Sequence, residues 1–138
     1  MKLSISEILK RANELGSLQE RKAFLLQHDN PAIHTILKCV FDPNVKFLLP
    51  RGKAPYKPTE FDRQEGRLYS EMRKMYLFVE GGNPNLTQIK REQIFIDLLE
   101  SIDRQDAELL VAVKDKKLPF KNINRNLVEK TYPGLIPT

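Results

Sequence analysis

Cysteine, histidine and long apolar runs are all scarce in this chain, and each scarcity closes off a class of protein. The single cysteine, Cys39, excludes an internal disulfide framework. It falls within an apolar run, where a thiol is expected to be buried and inert. The two histidines, His28 and His34, are too few for a histidine-rich metal site, and with Cys39 they make no zinc spacing. His28 sits at an expected helix C-terminus, where an imidazole suits the helix dipole, and His34 is expected on a helix surface. No stretch approaches the ~18–20 apolar residues of a membrane span. The start of the chain resembles neither a signal peptide nor an acid-poor transit peptide. A cytoplasmic protein is expected. Nucleotide motifs are also missing: there is no Gly-x-x-x-x-Gly-Lys-Ser/Thr loop and no Gly-x-Gly-x-x-Gly. No cofactor is expected.

What is present is helical periodicity. The length of 138 residues suits one domain, 1–138, with one core. Ser4-Ile5-Ser6-Glu7 and Ser17-Leu18-Gln19-Glu20 read as capping boxes. Asn30-Pro31 reads as an N-cap followed by proline at the first helical position. These signals open three short helices, expected to pack antiparallel, with Gly16 ending the first in a left-handed conformation and Asp42-Pro43 ending the third. Residues 43–66 form a proline-rich strap containing a short apolar patch, Val45 to Leu49. A basic loop follows, Pro50-Arg51-Gly52-Lys53-Ala54-Pro55-Tyr56-Lys57-Pro58. Leu68, Met72, Met75, Tyr76 and Val79 then recur at helical spacing up to the break at Gly81-Gly82-Asn83-Pro84. Thr87 is a plausible N-cap for a long helix, on which Glu92, Asp97, Glu100 and Asp103 read as solvated surface. Two further helices run from Ala107 to about Asp115 and from Arg125 to Tyr132. No segment alternates long enough to be a strand. The expected fold is therefore all-α, a compact bundle of about six to seven helices.

Net charge is +5 with a pI near 9.4, which favours polyanionic partners. Much of the excess is concentrated between Val111 and Lys130. There Lys114, Lys116, Lys117, Lys121, Arg125 and Lys130 stand against Asp115 and Glu129, a local excess of +4. Lys116 and Lys117 are expected to project from the turn at Leu118-Pro119 (residues 114–125). Asn122 and Asn124 follow, Asn124 as an N-cap and Arg125 at a helix start whose backbone amides can take a phosphate. A solvated face remains the alternative reading of this charge.

The closing stretch, from Leu109 through the lysine cluster to Tyr132-Pro133-Gly134-Leu135-Ile136-Pro137, resembles the end of the N-terminal DNA-binding domain of ATP-dependent DNA ligases. The likeness is nearest to the small ligases of T-even bacteriophages, which also have a strap with aromatics, paired lysines and prolines after the third helix. As motif it covers about the last thirty residues and the strap; elsewhere it covers only helix order and loop placement. The ligase turn, usually Asp-Leu-Arg-x-Gly, is here Lys117-Leu118-Pro119-Phe120-Lys121-Asn122. Asn122 replaces the glycine, as a residue tolerant of a left-handed backbone, and Lys121 supplies the charge lost at Pro119. Ligase chemistry needs a nucleophilic lysine in Lys-x-Asp-Gly. Lys114-Asp115-Lys116 has neither the spacing nor the glycine, so no catalytic residue is assigned.

The resemblance implies a free-standing, non-enzymatic domain that grips duplex DNA, intact or nicked, through the minor groove and phosphates. The implied setting is phage replication, repair or transcription. The residues it points to are Arg51, Lys53, Lys57, Lys114, Lys116, Lys117, Lys121, Asn122, Asn124 and Arg125. In the phage ligase the same domain supports docking to the sliding clamp. A second reading is therefore a protein-interaction adaptor for a clamp or polymerase that has kept the fold without DNA binding. A small catalytic or virion component is a third, less favoured reading.

Overall fold

Side-chain caps set the helix starts in this computed structural model, which describes residues 3–58 and 66–137. Ser4 Oγ accepts from Glu7 N–H and opens α1, Ile5–Glu14. Ser17 does the same through Glu20 N–H for α2, Leu18–Gln27, and the Ser17 hydroxyl also reaches the Glu20 carboxylate at 3.0 Å. Asn30 Oδ1 accepts from Ile33 N–H to open α3, Pro31–Phe41. Each of these caps satisfies one amide that has no partner within its helix. α1 ends differently from the sequence expectation. Leu15 is extended at φ −73° and ψ 150°, and Gly16 is not among the left-handed residues.

The later elements are α4, Leu68–Glu71, a 3-10 stretch, Met72–Phe78, then α5, Gln88–Ser101, α6, Arg104–Lys114, and α7, Arg125–Thr131. Among the described residues there are seven α-helices and no sheet, so the fold is an all-α bundle. α1 packs on α2 and α6, α2 on α7, α3 on α6, and α5 on α6 and the 3-10 stretch. The first three helices therefore do not close a core among themselves. Their apolar faces, with Leu9, Ile33, Ile36 and Leu37 fully enclosed, are completed by Leu98, Leu99, Leu110 and Val128 from the C-terminal half.

The segment expected as one helix up to Val79 tightens after a single α turn. A 3-10 helix repeats every three residues, so Met72, Met75 and Phe78 share a face. Met75 and Phe78 are buried and Met72 is half-buried, while Tyr76 is turned out at 54% exposure. The chain is then drawn into extended pairing with the strap. Phe47 bridges Val79 antiparallel, Leu48 N–H donates to Phe78 O, and Glu80 N–H donates to Lys46 O. This resolves the Val45–Leu49 patch as extended. The Gly81–Asn83 break closes tightly: a Cβ on Gly82 would lie 1.8 Å from Tyr76 O. Arg91 on α5 is buried, and its guanidinium donates to Leu77 O and Leu86 O, which ties this turn to α5.

α7 ends as its sequence suggested. Tyr132 is buried with its ring 4.7 Å from that of half-buried His34, and Gly134 takes φ +85°. Cys39 is buried in α3, and burial pushes its thiol up to about 11 against the opposing pull of Lys116 and Lys38. None of the described helices is long and apolar enough to cross a membrane.

Candidate nucleic-acid interface

The basic turn begins where α6 stops. Lys116 N–H donates to Val113 O and Lys117 N–H to Ala112 O, with Lys116 left-handed at φ +62°. These are the two bonds of a Schellman termination, in which the left-handed position is usually glycine. Lys116 occupies it and directs its ammonium inward. Nζ donates to Cys39 O, to Asp42 O at 2.7 Å and to Val45 O at 2.8 Å. Those carbonyls lie at and just beyond the C-terminus of α3, where partial negative charge accumulates. Burial lowers the Lys116 ammonium below its ordinary value, against the stabilising charges of Cys39 and Asp42. The expectation that Lys116 projects into solvent is therefore corrected, and so is the left-handed position, which falls on Lys116 and not on Asn122.

Other residues of the turn also serve the fold. Lys114, with its side chain 2% exposed, donates to Gly52 O and to Asp115 Oδ1. Asp115 Oδ2 accepts from Gly52 N–H at 3.0 Å. Burial opposes ionisation of Asp115, but Gly52 N–H, Lys114 and Arg51 outweigh it and hold the carboxyl below the usual range. Together Lys114 and Asp115 clamp the strap to the end of α6. Asn122 donates twice to Asn13 of α1, from its backbone N–H to Oδ1 at 2.8 Å and from its side-chain amide to the backbone carbonyl at 2.9 Å. Asn124 caps α7 through Leu127 N–H. Arg125 donates to Phe41 O, Pro137 O and Glu129, so a second cation covers the end of α3.

Arg51, Lys53, Lys57, Lys117 and Lys121 are exposed, as are Asn124 and Arg125 beside the contacts they make within the fold. The Lys57 backbone is pinned, its N–H donating to Glu100 at 2.7 Å. Sequence reasoning missed Lys46, which is exposed between half-buried Val45 and Phe47. Alternation within an extended segment was the available signal. Lys46 and Arg51 line a cleft of about 270 Å³ that is also bordered by Lys114, Asp115 and Lys116. On the other side of the strap lies a more apolar groove of about 300 Å³, lined by Leu49, Pro50, Pro55, Phe95 and Ile89, the last 84% exposed.

Fold and site together define an all-helical domain in which a proline-rich strap is clamped over α6 beside a cationic cleft. The chain belongs to a family of unknown function, DUF6433, which it matches over residues 8–119. The closing Tyr132–Pro137 motif lies beyond that match. No curated protein matches the chain.

Proposed function

We propose that this chain is a non-enzymatic accessory protein that binds double-stranded DNA through backbone and minor groove, without strong sequence preference, in phage replication, repair or transcription. The observation that carries this reading is the division of labour among the cations. Lys114, Lys116 and Arg125 are taken up by carbonyls and carboxylates of the fold, whereas Lys46 and Arg51 open onto one cleft with Lys117 exposed nearby in the chain. Exposed cations on a rigid support suit phosphate contacts, which position a duplex without reading its sequence. The ligase-like turn and closing motif add to the same reading. Binding should be measured against nicked, intact and single-stranded DNA across a salt series. With four to six phosphate contacts, log K should fall against log salt with a slope of roughly −4 to −5. Replacing Arg51, Lys117 and Lys121 together with alanine should flatten that slope by about 2–3. An unchanged slope would move the site elsewhere.

The non-enzymatic part has its own test. Lys114, nearest to a ligase-type nucleophile in sequence, has its ammonium occupied by Gly52 O and Asp115. Incubation with labelled ATP should leave the protein unlabelled, and stoichiometric covalent AMP would overturn the claim.

The adaptor reading, with a clamp or polymerase as partner, is favoured by one feature: the apolar groove beside exposed Ile89. Absence of duplex binding at low salt would select it.

A further inference from the structure

We propose that Asp106 is held protonated by its burial and acts as a pH-sensitive latch holding the start of α1 against α6. Asp106 is fully buried, and its Oδ1 accepts from Ser6 N–H of α1 at 3.0 Å. Its other oxygen, Oδ2, is buried without a donor, and so is Oδ1 of Asp103. A buried carboxyl oxygen with no donor to serve it disfavours ionisation, because the charge would have neither water nor a partner. Asp103 Oδ2 caps α6 by accepting from Gln105 N–H and Asp106 N–H.

The surroundings offer no counter-charge. From α1 come Ser6 and Ser4, whose hydroxyls lie 3.4 Å apart. From α4 comes the Tyr69 phenol, which donates to Leu3 O at 2.6 Å and is itself raised by burial and by Asp106. Lys10 of α1 and Glu108 of α6 line the adjoining surface pocket with Ser6 and Gln105. Among the described residues, no Lys, Arg or His forms an ion pair with either carboxyl.

Burial above all, and then the neighbouring carboxyl of Asp103, push Asp106 from 3.8 up to about 7, against the pull of Ser6. A folded-state value above the unfolded one means that the stabilisation is complete below about pH 4 and is lost as pH rises through about 7. Above that pH an unpaired charge occupies a dry site, and its pull toward water opposes the packing of α1 on α6.

The Ser6 amide reports the latch directly, because its proton rests on Asp106. In the wild-type protein its NMR shift should titrate with a midpoint near 7, and amide exchange in the first turn of α1 should speed up over the same range. In D106N the side-chain oxygen can still accept from Ser6 but the residue cannot ionise, so that titration should vanish. At pH 8 the variant should melt on the order of 5–10 °C above wild type, with the gain shrinking as pH falls towards 4. A Ser6 shift that stays flat between pH 5.5 and 8.5 would overturn the proposal whether or not D106N folds. So would a wild-type melting temperature that depends on added magnesium or calcium, because a metal ion would then take the place of the proton.

Discussion

Lys116→Ala is expected to destabilise the fold by about 2–4 kcal/mol, while Lys117→Ala, one residue along, should stay within about 0.5 kcal/mol. The wild-type ammonium serves the carbonyls of Cys39, Asp42 and Val45 at once. Hydrogen bonds from a charged donor contribute about 1.5–3 kcal/mol each when buried, and partial solvent access at Lys116 reduces the sum. Lysine and alanine both bear the left-handed backbone at φ +62°, which costs roughly 1–2 kcal/mol without glycine, so that strain does not separate them. Lys116→Gly removes that strain while losing the same hydrogen bonds, so it should be milder than alanine by about 1 kcal/mol. Urea unfolding of the three variants separates these terms. If Lys116→Ala proved no worse than Lys117→Ala, the inward placement of the ammonium would be wrong. The same placement makes Lys116 a poor choice for testing DNA contacts, because its loss would weaken binding through the fold.

Most helix starts were legible because their signals are local, but Asp103, expected as solvated surface on the preceding helix, is the buried N-cap of α6. Ser4, Ser17, Asn30, Thr87 and Asn124 each accept from an amide three residues on, so residue type and spacing suffice to find them. The site was legible only as a concentration of charge. A lysine reads alike whether it meets a phosphate or a backbone carbonyl, and the carbonyl of Cys39 lies 77 positions from Lys116. Nothing local separates Lys116, which turns inward, from Lys117, which faces water. Buried charge was hidden for a related reason. Arg91 and Asp106 fall on helices where periodicity assigns polar residues to solvent, and only the tertiary arrangement supplies their partners, Leu77 O and Leu86 O for the first and Ser6 N–H for the second.

Phe78 sits where the local period misled. An α period from Leu68 puts Tyr76 and Phe78 on opposite flanks of the inward face; the 3-10 stretch turns Tyr76 out and buries Phe78 completely, with its ring 5.1 Å from that of Phe95 at 77°. This edge-to-face pair joins the 3-10 stretch to α5. The Phe78 carbonyl accepts from Leu48 N–H, so the same residue also holds the strap. Phe78→Ala should therefore cost about 3–5 kcal/mol, the range for emptying a large aromatic site in a core that relaxes only partly. Phe78→Leu keeps much of the volume and should cost roughly 1–2 kcal/mol. Tyr76→Ala, at a residue 54% exposed, should stay below about 1 kcal/mol. Chemical denaturation of the three variants tests the register directly: a continuous α-helix through this segment would place Tyr76 and Phe78 on equivalent flanks and bring Tyr76→Ala and Phe78→Ala to similar costs.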